Sequence, residues 1–188
     1  IPAAIGPLHP LRDPDDDASD RSQREQAGIH LIIDTLRESK SPVIISSVGS
    51  ARTIAAAVNR DPELMCKKTR AILLNAGSIG GPKGEWNVGL DPAAYIALWR
   101  SGLPIDWYPC STERGAFNRK HERGTYWKAS HASLFDGIPQ PLRAWFTYGF
   151  TGCSRGDFIH ALEDLGKGSV WETVLAGHRN LWSTASLV

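Results

Sequence analysis

An α/β fold, with a mostly parallel sheet covered by helices on both faces and a mainly helical C-terminal part, is predicted by three observations. Two β-branched runs without charge, Val43-Ile44-Ile45-Ser46-Ser47-Val48 and Ala71-Ile72-Leu73-Leu74-Asn75, have the composition of buried parallel strands. Each is preceded or followed by a segment with helical spacing of apolar residues. A third short strand near Ile105–Tyr108 follows a capped helix, so the order is strand, helix, strand, helix, strand, the pattern of a parallel sheet.

Ile1 to Gly6 is an apolar run suited to a buried strand that enters a loop, and the proline- and acid-rich stretch Leu8 to Asp20 is expected not to pack a core. Order resumes near Ser22. Ile29, Ile32, Ile33 and Leu36 fall at i, i+3, i+4 and i+7, one face of an amphipathic helix. The first strand ends at Gly49 and leads into an alanine-rich helix over Ala51 to Asn59. Asp91 and Pro92 stand as N-cap and first residue of a helix that runs through Trp99 and stops at Gly102. From about Thr112 onward helices alone are expected, over Trp127–Phe135, Leu142–Phe150, Phe158–Leu165 and Leu181–Val188. The chain is thus read as one domain, residues 1–188, with an α/β part over 1–111 and a helical part over 112–188, in a Rossmann-like arrangement.

Composition narrows the function classes. With 21 basic and 20 acidic residues, well mixed, and a net charge of +1, the chain has no electrostatic footprint for nucleic acid or an anionic membrane. No apolar run is long enough to cross a bilayer, and the first residues carry no export signal, so the cytoplasm is slightly favoured although the sequence leaves the compartment open. Cys66, Cys110 and Cys153 are widely separated and lack CxxC spacing, as structural or incidental thiols would be. Seven tryptophans, all from Trp86 onward, suit an aromatic-lined surface or ordinary core filling.

Ligands of such sheets bind beyond the carboxyl ends of the strands, which directs attention to Gly49–Thr53 and Asn75–Asn87. The second segment holds four glycines, which allow close backbone approach, and Glu85 and Asn87, which project to one side if the segment is extended. A carboxylate beside an amide suits the vicinal hydroxyls of a sugar, since one accepts and the other both donates and accepts. The same two side chains could instead only tie down the turn. Trp86 between them is expected to be buried, with an aromatic wall for a ligand as its alternative role. Asp13, Asp15, Asp16, Asp17 and Asp20 are read as solvated loop acids rather than as a cation site. A glycine loop that binds phosphate at a helix N-terminus is discounted, since no Walker lysine-serine pattern is present.

The order VIISSVGSARTIAAAVNRDP, ILLNAGS and GEWNVGLDPAAYIALWRSGLPIDWYPC resembles the central portion of the inosine-uridine-preferring nucleoside hydrolases, from about Ile29 to Cys110, and IPAAIG is similar to an earlier strand of that family. The specific part is Glu85-Trp86-Asn87 followed by Asp91-Pro92-Ala93-Ala94. The resemblance implies hydrolysis of the N-glycosidic bond of a ribonucleoside or related N-riboside at a calcium ion (Ca2+). Glu85, Asn87 and Trp86 would be substrate-binding, and the backbone carbonyl of Arg52 a metal contact; a simple helix-face cation is the alternative reading of Arg52. The family's N-terminal DTDxGxDD motif, which holds most of the metal ligands and the catalytic base, does not occur here. No recognisable late His-Asp motif occurs either, and His178 stands as the candidate beside the leaving base, with better access than His160. The expectation is therefore an enzyme that needs a further N-terminal segment, with this chain alone inactive. A non-catalytic sugar- or nucleoside-binding module of the same fold is the alternative. Association with that segment, or a homo-oligomer, is expected to cover the open sheet.

Overall fold

The computed structural model describes residues 1–80, 84–112, 124–150 and 166–187. The chain divides into two compact units, Ile1–Thr125 with Trp182–Val188, and Tyr126–Leu181.

In the first unit a parallel sheet has the order β1-β2-β4, with β1 at Val43–Ser47, β2 at Thr69–Asn75 and β4 at Ile105–Tyr108. Helix α1 (Gln23–Glu38) precedes β1, and α2 (Arg52–Arg60), α3 (Pro62–Lys68), α4 (Trp86–Leu90) and α5 (Pro92–Arg100) lie between the strands. A second parallel pair, β3 (Ser78–Ile79) with β5 (Ser111–Thr112), follows the ends of β2 and β4. A 3-10 helix at Trp182–Leu187 returns to this unit and contacts β2.

Helix α1 forms as its periodicity requires. Ser22 caps it by accepting from the Glu25 N–H, Glu25 returns a contact to the Ser22 hydroxyl at 2.8 Å, and Ile29, Ile33 and Leu36 are buried. Each such side chain contributes about 1.5–3 kcal/mol by leaving water. They join Ile54, Ala55, Ala56, Ala57, Met65, Ile72, Leu74, Ala94 and Leu98 in the main core, against which Val43, Ile45 and Ile105 pack from the sheet. These strand residues share one face, since Ile45 pairs with Ile72 and Ile72 with Ile105. On the opposite face Ile44 is half exposed, and Asn75 contacts Ser186 of the 3-10 helix. Strand β1 is therefore less buried than its uncharged, β-branched start suggests, because among the described residues it pairs on one side only.

Several expectations need correction. Ile1–Gly6 forms no strand; it lies on the surface, with the Ile5 carbonyl accepting from the Gly28 N–H at 2.7 Å. The segment after it does pack, because Leu11 and Ala18 are buried in the main core. Nor is Asp16 a solvated acid. Its carboxylate is buried and accepts from the Arg12 guanidinium at 2.9 and 3.0 Å and from the Arg12 and Ala18 N–H groups. Asn59 and Arg60 at the end of α2 hold the loop through the carbonyls of Pro14, Asp16 and Asp17. Polar atoms satisfied within the loop let its few apolar side chains be buried. Helix α3, capped by Asp61 with Pro62 as its first residue, was not anticipated although the Asp-Pro start is legible.

The second unit is not purely helical. Strands β6 (Trp127–Ser130) and β7 (His178–Leu181) pair antiparallel and carry α6 (His131–Leu134), α7 (Gln140–Phe150) and α8 (Gly168–Leu175) between them. Trp127–Ser130 is thus strand where a helix was expected, and Leu181 ends a strand rather than starting a helix. Pairing across the unit overrides the local pattern in these short segments. Phe135, Trp171 and Val174 form its core. The expected helix over Phe158–Leu165, with His160 and Cys153, lies outside the described residues.

Candidate functional site at the strand ends

Glu85, Asn87 and Arg52 all reach the carboxyl ends of β1 and β2, by a route the sequence did not indicate. Glu85 and Asn87 do not lie in an extended segment. Glu85 is the N-cap of the short helix α4, and its buried carboxylate accepts from three backbone N–H groups, those of Gly77 (2.9 Å), Asn87 (3.0 Å) and Val88 (3.2 Å). Asn87, in the first turn, donates through Nδ2 to the Asn75 carbonyl at 3.2 Å. The two side chains therefore converge on the end of β2, as expected, but from a helical turn. Trp86 is 78% exposed rather than buried, since the inner side of α4 is taken by Val88, which packs against the core.

The turn they hold is fixed from every side. Gly77 has φ +83°, a conformation that favours glycine, and a Cβ there would meet Nε1 of Trp107 at 3.3 Å. Trp107 Nε1 donates to the Ala76 carbonyl at 2.7 Å, and the Gly77 carbonyl accepts from the N–H groups of Cys110 and Ser111. Cys110 is buried here, and burial, then the nearby Glu85 carboxylate, pushes its thiol up to about 12. Tyr95 is buried beside it and donates to the Gly49 carbonyl at 2.8 Å; burial first, and Glu85 next, raise its hydroxyl well above the ordinary tyrosine range. Asn75, 1% exposed, donates to the Ser47 carbonyl and to Ser186 Oγ, while its Oδ1 has no partner.

Arg52 is the first residue of α2, so its carbonyl belongs to the first turn of that helix at the end of β1. Its side chain is no helix-face cation. The guanidinium is 13% exposed and donates to the carbonyls of Leu8 (2.6 Å), Pro7 (3.3 Å) and Leu90 (2.8 Å) and to Ser50 Oγ (3.1 Å). Asp91, fully buried, lies 3.4 Å from Arg52 Nε, caps α5 through the Ala94 N–H and accepts from the Leu11 N–H at 2.9 Å. Sequence reasoning found Asp91 as a cap but not its pairing with Arg52, because the partner lies 39 positions away in the chain. Tyr95 was legible in part, since a tyrosine on a buried helix face needs a partner for its hydroxyl.

His178 opens β7, opposite Ser130, and is exposed; contrary to expectation it stands in a strand, and the 3-10 helix that follows starts only at Trp182. It belongs to the second unit. No group of three or more His, Cys, Asp or Glu side chains able to hold a metal ion occurs among the described residues. Nor is any described helix long and apolar enough to cross a membrane.

The family model for inosine-uridine preferring nucleoside hydrolases matches residues 4–162. Pyrimidine-specific ribonucleoside hydrolases RihA of Escherichia coli O1:K1 / APEC and of Salmonella agona (strain SL483) are 36% identical over 81 residues, 41% of this chain and 26% of theirs. The matched part thus spans about a quarter of these curated relatives. Among solved structures, a purine-preferring ribonucleoside hydrolase from Gardnerella vaginalis covers 90% of this chain and 49% of its own, with 21% identity and a TM-score of 0.45. A plant nucleoside hydrolase, PpNRh1, covers 89% and 46%, with 18% identity and the same TM-score of 0.45.

Proposed function

This chain belongs to the inosine-uridine preferring nucleoside hydrolase family, and we propose that it supplies the ribose-gripping part of an enzyme that hydrolyses the N-glycosidic bond of a ribonucleoside or related N-riboside. The observation that carries the proposal is the convergence of Glu85 and Asn87 on the carboxyl end of β2, where ligands of parallel sheets bind. Glu85 uses three of the roughly four acceptor positions of a carboxylate on the backbone, and Asn87 Oδ1 makes no described hydrogen bond. One sugar hydroxyl donates to Asn87 Oδ1 and a neighbouring one to the remaining position on Glu85, which fixes the ring against the Gly77 turn. Exposed Trp86 stands beside them as an aromatic wall. Orientation of this kind lets remote binding energy act at the anomeric carbon, where water replaces the base. No described residue is assigned as the general base.

The metal that the family resemblance implies has no complete donor set here. Of the described strand-end carboxylates, Glu85 keeps a single acceptor position beyond its three backbone N–H groups and Asp91 is taken up by Leu11, Ala94 and Arg52, so the two do not make up a metal's donor set. The Arg52 carbonyl, proposed as a calcium contact, would be one ligand of a set whose other members lie beyond these residues, and no step is routed through a metal. This filling also favours a second reading, a sugar- or nucleoside-binding module without turnover.

The two readings separate in one experiment. The full chain, alone and as part of a longer polypeptide with an N-terminal acidic segment, is incubated with inosine or uridine, with calcium or with a chelator, and free base is measured. The hydrolase reading expects calcium-dependent release from the longer polypeptide; the binding reading expects bound nucleoside and no release. Absence of both binding and release refutes the proposal.

A further inference from the structure

Oxygen atoms from three stretches of chain converge at the carboxyl end of β1, and a guanidinium fills the space between them. The carbonyls of Pro7, Leu8 and Leu90, the Ser50 hydroxyl and the Asp91 carboxylate all lie within 3.4 Å of Arg52 nitrogens. Carbonyl, hydroxyl and carboxylate oxygens are the donors that a hard divalent cation such as calcium selects. Arg52 is the first residue of α2, at the helix end where positive charge is disfavoured, and its side chain is largely removed from water. A buried cation in that position requires compensation, and the oxygen cage supplies it. Without a cation, the cage would leave three inward-facing carbonyls and a buried carboxylate facing one another.

We propose that the Arg52 side chain is a resident cation that locks the loops at Pro7–Leu8, Ser50 and Leu90–Asp91 together in the role a divalent metal would otherwise fill, so that these strand-end loops are ordered without metal. The planar fork explains why arginine suits the position: its two terminal nitrogens reach carbonyls on separate segments while Nε faces Ser50 and Asp91. Lysine offers the charge but only a point of contact. The inference concerns the order of the loops and does not rest on nucleoside hydrolysis, so either can fail without the other.

The test uses thermal unfolding of the full 188-residue chain and of Arg52→Lys, Arg52→Met and Arg52→Ala. The wild-type midpoint should be unchanged by calcium or by a chelator. Arg52→Lys should unfold several degrees above Arg52→Met, which has similar length without charge. Arg52→Ala opens the cage, and millimolar guanidinium or calcium should raise its midpoint by several degrees, whereas sodium chloride at matched ionic strength should not. A fall in the wild-type midpoint on chelation, or equal midpoints for the lysine and methionine variants, overturns the proposal. So does the lack of selective rescue in a folded Arg52→Ala. If Arg52→Ala fails to fold, the chelation result and the lysine–methionine comparison decide.

Discussion

Replacing Asp91 by alanine removes three interactions at once, and the structure sets the size of the effect. Oδ1 accepts from the Ala94 N–H as the cap of α5, a contact whose loss costs about 0.5–2 kcal/mol. Oδ2 accepts from the buried Leu11 N–H, and an unpaired buried donor costs about 1–3 kcal/mol. The Arg52 guanidinium, 3.4 Å away and 13% exposed, keeps its charge but loses its counter-ion. These contributions overlap, and removal of one partner from a buried ion pair costs about 3–5 kcal/mol in all. For a chain of this length the midpoint of thermal unfolding should fall by roughly 6–20 °C, at roughly 2–4 °C per kcal/mol. Asp91→Asn keeps an oxygen for the cap and should lose about half as much, which separates charge from capping. The assay is thermal unfolding by circular dichroism, with hydrogen exchange over Thr69–Asn75 reporting on the first unit alone. A loss below about 1 kcal/mol for Asp91→Ala would refute the view that the Arg52–Asp91 pair ties the N-terminal segment to α4 and α5.

Three further outcomes follow from single side chains. Gly77→Ala places a Cβ at φ +83° and 3.3 Å from Trp107 Nε1, so it should cost about 1–2 kcal/mol in urea unfolding and speed exchange of the Cys110 and Ser111 amides. Peptide-level alkylation at pH 8 should label exposed Cys66 rapidly and buried Cys110, whose thiol is pushed up to about 12, only on unfolding. The Asp16 carboxyl is held well below the usual carboxylate range, chiefly by the Arg12 guanidinium. Its contribution to stability is therefore complete above about pH 4 and is lost as pH falls toward its lowered folded-state value. Asp16→Asn should be less stable at neutral pH and flatten the acid limb of a stability–pH curve; an unchanged limb would show that Asp16 is not so held.

The sheet was legible because strand and helix signals agree with their neighbours. The strands expected over Val43–Val48, Ala71–Asn75 and near Ile105–Tyr108 are found at Val43–Ser47, Thr69–Asn75 and Ile105–Tyr108, and the Asp91-Pro92 start and Gly102 stop bracket α5 closely. Where local pattern and tertiary pairing conflict, the pattern misled. Trp127–Ser130 reads as helix but pairs with His178–Leu181. The acid-rich loop reads as solvated, yet Asp16 and Arg12 satisfy one another and allow Leu11 and Ala18 to be buried. At the candidate site, residue types drew attention to the end of β2 but did not indicate the geometry found there. Glu85 and Asn87 meet β2 from a helical turn, and the Arg52 cage consists mostly of backbone carbonyls, which no residue pattern records.

The most direct test of the central claim is equilibrium dialysis of the full chain against labelled inosine, ribose and hypoxanthine, repeated with Asn87→Ala. A ribose-gripping site predicts that inosine and ribose bind, that the free base does not, and that Asn87→Ala weakens both ligands about tenfold while the unfolding midpoint falls by only a few degrees, as loss of the hydrogen bond to the Asn75 carbonyl requires. Binding of the base without ribose, or sugar binding indifferent to Asn87, would contradict the assignment of the β2 end as the ribose site.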